Sequence, residues 1–169
     1  MRKSVLLGGM IASSALSIAS PALANPIASP VLGAPVNVTG AISTTVLGFL
    51  FNATCNVTMS GTVTSVGTAT TPGVVTFTSG TATDIPGGAV CNDQTLGTVT
   101  FPIIARTTSQ SVLTIDQLKL TTPLGTCTKN NVPVAWNNST SGGTISTAAG
   151  ICTSVTGTLQ TVSSPIVIG

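Results

Sequence analysis

Beyond hydroxyls and amides, few side chains in this sequence carry chemistry. Between Asn25 and Gly169 they are Cys55, Cys91, Cys127 and Cys152, the carboxylates Asp84, Asp93 and Asp116, and the cations Arg106, Lys119 and Lys129. The whole chain has no histidine, glutamate or tyrosine. General acid and base work is drawn mostly from those types, and a Ser-His-Asp triad is impossible without a histidine. The three aspartates show no spacing that gathers them into one site, and no local motif supports a Ser-Lys pair through Lys119 or Lys129. The expectation is therefore a non-enzymatic protein without a cofactor.

The cysteines have two readings, zinc ligands or disulfides. Structural zinc sites favour close C-x-x-C pairs and histidines, and neither is present. Calcium wants six to eight oxygens with clustered carboxylates, and no D-x-D-x-D loop occurs. Two disulfides are expected instead. Of the three possible pairings the sequential one is the simplest, Cys55 with Cys91 and Cys127 with Cys152.

That reading needs an oxidising compartment, and the N-terminus supplies a route to one. Met1-Arg2-Lys3, the apolar run Val5 to Ala19 and the small-residue stop Ala22-Leu23-Ala24 have the three regions of a secretory signal peptide. Residues 1–24 are thus expected to be removed, leaving a secreted chain in the periplasm, on the outer cell surface or in the medium. Arg2 and Lys3 leave with that peptide, so three cations face three carboxylates and the net charge falls to zero. A neutral chain has no basic patch for nucleic acid or anionic lipid. Self-association, or binding to apolar small molecules, fits such a surface better. No integral membrane span is expected after the signal peptide.

The elements that must position these residues read as strands. Residues 25–35, with Pro26, Pro30 and Pro35, look like an extended leader, and a domain is expected over 36–169. From Thr54 to Thr64 apolar and polar residues alternate strictly. Cys55, Val57, Met59, Gly61 and Val63 share one face, and threonines, Asn56 and Ser60 the other. Val46 to Phe51 reads as a doubly buried strand. Further strands are expected at Gly73–Ser79, Leu96–Ala105, Ser111–Leu120, Val132–Trp136, Thr144–Thr147, Thr153–Val162 and Pro165–Ile168. Turn signals at Pro86-Gly87-Gly88, Lys129-Asn130-Asn131 and Asn137 to Gly143 separate them. The expected fold class is all-β, a single antiparallel β-sandwich with Greek-key connections and two disulfides. The same pattern is compatible with a closed barrel. A membrane barrel fits less well, because Phe49, Phe51, Phe77, Phe101 and Trp136 are too few for aromatic girdles. The T-x-T units at Thr62, Thr98 and Thr156 are read as ordinary solvated strand faces.

The C-terminal half also carries a resemblance. Pro123 to Cys127, Val132 to Thr140, Ile151 to Leu159 and Ser164 to Ile168 resemble the small secreted proteins called protein activator of alkane oxidation. In the N-terminal half, Cys55 to Val63 and Cys91 are similar to that family's first two cysteine segments, while residues 64–90 match least. The resemblance implies an exported accessory factor that promotes growth on, or oxidation of, hydrophobic alkanes and associates with the extracellular matrix. It implies no catalytic residue. The alternative is a structural subunit of an extracellular matrix fibre or pilus-like assembly, suggested by low charge and long threonine-rich strands.

Overall fold

The computed structural model describes residues 25–48, 51–85, 99–122 and 124–169. The expected signal peptide, Cys91, Asp93, Thr98 and the Pro86-Gly87-Gly88 turn lie outside them. The strands are β1 (Ile27–Ser29), β2 (Pro35–Val46), β3 (Phe51–Ser65), β4 (Val74–Asp84) and β5 (Ile103–Ser109). They continue as β6 (Val112–Thr122), β7 (Gly125–Asn137), β8 (Gly142–Ala149), β9 (Cys152–Thr161) and β10 (Val167–Ile168).

From β2 to β9 each strand pairs antiparallel with its neighbour in sequence, and β9 pairs back onto β2 from Val38↔Thr161 to Val46↔Cys152. The sheet is therefore a closed eight-stranded, up-and-down barrel. This corrects the expected sandwich with Greek-key connections. Alternation and turn residues define strands equally well in both architectures; what separates them is whether the first and last strands meet. Here the strands are long, 15 residues in β3 and 13 in β7. Long strands coil strongly, and glycines let them bend until the edges join. Gly40 and Gly157 lie at that seam. A Cβ on Gly40 would sit 1.8 Å from the Thr158 carbonyl oxygen, and one on Gly157 would sit 2.8 Å from that of Ala41.

Two local expectations are also corrected. Val46 is the buried last residue of β2, but Leu47 (φ 50°) and Gly48 (φ 80°) turn the chain toward β3, and Leu47 is exposed. The apolar run Val46 to Phe51 thus straddles a hairpin connection and is not one buried strand. Lys129-Asn130-Asn131 is not a turn but the middle of β7. Asn131 takes φ 53°, and along β7 the inward face switches from Cys127 to Val132, Val134 and Trp136. The partner strand switches at the same level, from Leu113 and Ile115 to Leu118 and Leu120, so the ladder stays in register. Asparagine tolerates the left-handed conformation, which makes a pleat reversal and a turn look alike in sequence.

The inward face from Thr54 to Thr64 is as expected, with Cys55, Val57, Met59 and Val63 all buried. β1, drawn from residues 25–35, pairs with β10 as a separate two-stranded sheet. Ile27, Ile166 and Ile168 from this pair of segments join the barrel core. The sheet is fastened to one end of the barrel: the Ile27 amide donates to Val66 O (2.7 Å), and the Trp136 indole N–H donates to Ile166 O (3.2 Å). Asn138 exchanges two hydrogen bonds with the Ile168 backbone, at 2.9 and 3.0 Å.

If the seam closes as described, Gly40→Ala must push β9 off β2 and should destabilise the protein by about 1–3 kcal/mol in urea unfolding. Thr156→Ala, exposed on β9, should change stability by less than about 0.5 kcal/mol. Equal effects would contradict the seam.

Candidate functional site

Three of the cysteines flagged by the sequence, Cys55, Cys127 and Cys152, sit in the wall of the barrel. Cys127 and Cys152 are bonded, with Cα atoms 5.5 Å apart and both side chains fully buried. The bond has a clear structural task. The β7–β8 ladder runs only from Val134↔Ile145 to Asn137↔Gly142, so β7 and β8 separate toward Cys127. The bridge ties the start of β7 to the start of β9 across that gap. Cys55 is also disulfide-bonded and fully buried, and its expected partner, Cys91, lies outside the described residues. One bridge is thus located here, not the two expected. No cysteine among the described residues is free.

Arg106, Asp116, Lys119 and Lys129, the charged side chains described, gather no site. Arg106 Nε donates to both carboxylate oxygens of Asp116 at 2.8 and 2.9 Å, on the outer face of β5 and β6. That hydrogen bond, more than the accompanying charge attraction, raises the Arg106 pKa above its ordinary value. Both side chains remain over a third exposed, so the pair adds little to stability. Lys119 and Lys129 are exposed on the outside of β6 and β7. Among the described residues no group of acidic, cysteine or histidine side chains could hold a metal.

What the fold does assemble is an apolar cavity of about 320 Å³ in the end of the barrel away from the β1–β10 sheet. It arises where two strands part. The β4–β5 ladder has only four pairs, Val74↔Arg106 to Phe77↔Ile103. Beyond it, β4 continues with Gly80 and Ala82, while Val99 bridges to Leu120 and the Thr100 amide donates to Lys119 O at 3.1 Å. Gly80 and Ala82 on one side, and Val99 and Phe101 on the other, border the space. Ile42, Val57, Leu118, Leu120 and Val155 form further walls, and Met59, Ile103, Ile115 and Leu159 separate it from the packed half. Among the described residues, the polar side chains bordering it are those of the exposed Thr58 and Thr81.

The other half of the interior is filled. Phe77, Leu113, Val134, Trp136 and Ile166 leave a void of only about 30 Å³. An eight-stranded barrel is just wide enough either to be filled by side chains or to hold one small ligand. This one does both, at opposite ends, because small Gly80 and Ala82 replace bulky inward residues. The outward faces carry Asn37, Thr39, Asn56, Thr62, Thr114, Gln117, Thr128, Thr144, Thr156 and Gln160. Apolar inside and polar outside is the reverse of the arrangement in membrane barrels with aqueous channels.

A family profile described as alkane oxidation protein activator PraA/PraB-like matches residues 1–168. The chain belongs to this family. The resemblance read from its cysteine segments is confirmed across almost the full length. No curated protein and no solved structure matches the chain. For an alkane oxidation activator family, a cavity walled by hydrocarbon is the feature of the fold with an evident chemical counterpart.

Sequence reasoning did not find this cavity. Its one trace is the continued alternation Gly80-Thr81-Ala82-Thr83 after the expected end of that strand, with small residues at the inward positions. The threonine faces behave as expected of solvated strands, for example in the cross-strand contact of Thr64 and Thr76 hydroxyls at 3.0 Å.

The two halves of the interior should respond differently to added volume. Ala82→Leu has space to enter and should change urea-unfolding stability by less than about 1 kcal/mol, whereas Val75→Phe, in the filled half, should cost about 1–3 kcal/mol or more. Equal losses would show that the cavity is not available.

Proposed function

We propose that the protein is a secreted, non-enzymatic accessory factor that takes a hydrocarbon chain into the apolar end of its barrel and so promotes the oxidation of alkanes. The cavity is the observation that carries this reading. An alkane offers no polar handle, so its affinity must come from apolar surface removed from water. A chain that buries on the order of 300 Å² at about 25 cal/mol per Å² gains about 7 kcal/mol, equivalent to micromolar binding before ordering costs. A space of about 320 Å³ falls at the small end of ordinary ligand pockets and suits one chain. Apolar cavities of this kind stay dry and admit apolar guests. A polar outer face keeps such a carrier in water while its cargo is hidden, the division of labour seen in ligand-holding antiparallel barrels.

The non-enzymatic reading draws on the same chemistry. Among the described residues no charged side chain borders the cavity, and Asp116, Lys119 and Lys129 lie on outward faces. Edge-to-edge assembly into a fibre gains little support from the barrel, since each of its eight strands is paired with two neighbours over at least part of its length.

The test is growth of a strain lacking the gene, complemented with wild-type or Ala82→Phe protein. Loss of the gene should slow growth on hexadecane and leave growth on acetate unchanged. Wild-type protein should restore it, and the Ala82→Phe protein, exported in equal amount and folded, should not. Equal growth defects on both carbon sources, or full rescue by a folded Ala82→Phe protein, would overturn the proposal.

A further inference from the structure

Four inward side chains face two spaces at once. Met59, Ile103, Ile115 and Leu159 border both the cavity of about 320 Å³ and the void of about 30 Å³ in the filled half. They form a partition one side chain thick, and a chain in the cavity that extends toward the filled half ends against it.

The four are not equally firm. Ile103 and Ile115 are branched at Cβ, which restricts their first side-chain torsion. Leu159 stands on β9 opposite Gly40, at the closed seam. Met59 is unbranched and carries a polarizable thioether, the kind of side chain that fills irregular gaps. Its cross-strand neighbour on β4 is Gly80. A Cβ built on Gly80 would lie 3.2 Å from Met59 Cγ and 2.8 Å from Phe101 Cζ, so both side chains lean into room that the glycine leaves open. Met59 thus stands where the cavity meets the partition.

We infer that Met59 sets the length of alkyl chain that the cavity buries, with a limit near ten carbons. This rests on the cavity reading above and refines its ligand class. At about 30 Å³ per chain atom, close to the share of one water molecule in the liquid, 320 Å³ holds about ten carbons. The void beyond the partition has room for about one more, so moving Met59 aside without removing it gains little. Met59→Ala deletes Cγ, Sδ and Cε and joins the two spaces, which extends the room by about four chain atoms. A chain longer than the limit, hexadecane included, leaves its excess outside the cavity and binds no more tightly than one that just fits.

The test is the affinity of the n-alkanes from hexane to hexadecane for the mature protein, measured by displacement of a fluorescent apolar probe. Each buried methylene should tighten binding about fourfold, so affinity should climb at that rate to about decane and then flatten. Met59→Ala should move the break about four carbons up, and Ala82→Leu, which fills the cavity from another wall, about three carbons down. Met59→Val removes less volume and should move the break up by about one or two carbons, which keeps the test standing if the alanine variant does not fold. Met59→Leu conserves volume and should leave the break near decane. A climb that continues to hexadecane in the wild-type protein, or a break that stays near decane in folded Met59→Ala or Met59→Val protein, would overturn the inference while leaving the cavity reading intact. Absence of binding by every alkane would overturn both.

Discussion

Everything in this molecule depends on the hydrogen-bonded seam between β2 and β9. Eight consecutive antiparallel strands would otherwise form an open, twisted sheet with two exposed edges and an apolar face to cover. Pairing Val38–Val46 with Cys152–Thr161 removes both edges and turns that face inward in one step. The seam requires close backbone approach, and the sequence meets the requirement with Gly40 and Gly157, where any side chain would strike the opposite strand. The Cys127–Cys152 bond acts beside it, holding β9 to β7 where the β7–β8 ladder has ended. Closing a loop of this size stabilises a fold by about 3.5 kcal/mol in the chain-entropy account, comparable to a large share of ordinary domain stability.

Once the sheet is closed, inward side-chain volume decides what the interior can do. At one end, Phe77, Leu113, Val134 and Trp136 fill the space, and the β1–β10 sheet adds Ile27 and Ile168 to the same core. At the other, β4 leaves β5 after Phe77, and its inward positions become Gly80 and Ala82. The barrel thus has a rigid half that maintains closure and an unfilled half with hydrocarbon walls. Dispersion and water exclusion are the only forces such walls offer, and they suit an alkyl chain. The scarcity of titratable residues is consistent with this, since binding here asks for shape and apolar area.

Much of this was legible in the sequence at the level of single strands. The period-two face Cys55, Val57, Met59 and Val63 is inward as its alternation required, because a strand has no other way to bury one row and solvate the next. The family was legible too, from short segments around the cysteines. Closure was not, because it is a property of the first and last strands together, and nothing local in Val36–Ile42 names Thr153–Val162 as a partner. Asn131 misled for a specific reason: its left-handed backbone reverses the pleat inside β7, using the residue type that would otherwise make a turn. The cavity was the least legible feature. It depends on Gly80 and Ala82 facing Val99 and Phe101 from a different part of the chain, a juxtaposition that exists only after β4 and β5 have parted.

The central claim is that a hydrocarbon chain occupies the space between these inward faces. The most direct test is NMR of mature protein carrying ¹³C-labelled Ile, Leu and Val methyl groups in a perdeuterated background, with protonated decane added. Intermolecular nuclear Overhauser effects should appear at the methyls of Ile42, Val57, Leu118, Leu120 and Val155, and be absent from Val36, Val75 and Leu113 in the filled half. Contacts confined to exposed residues such as Val31, Leu32 and Val162 would place the ligand outside the barrel and contradict the account.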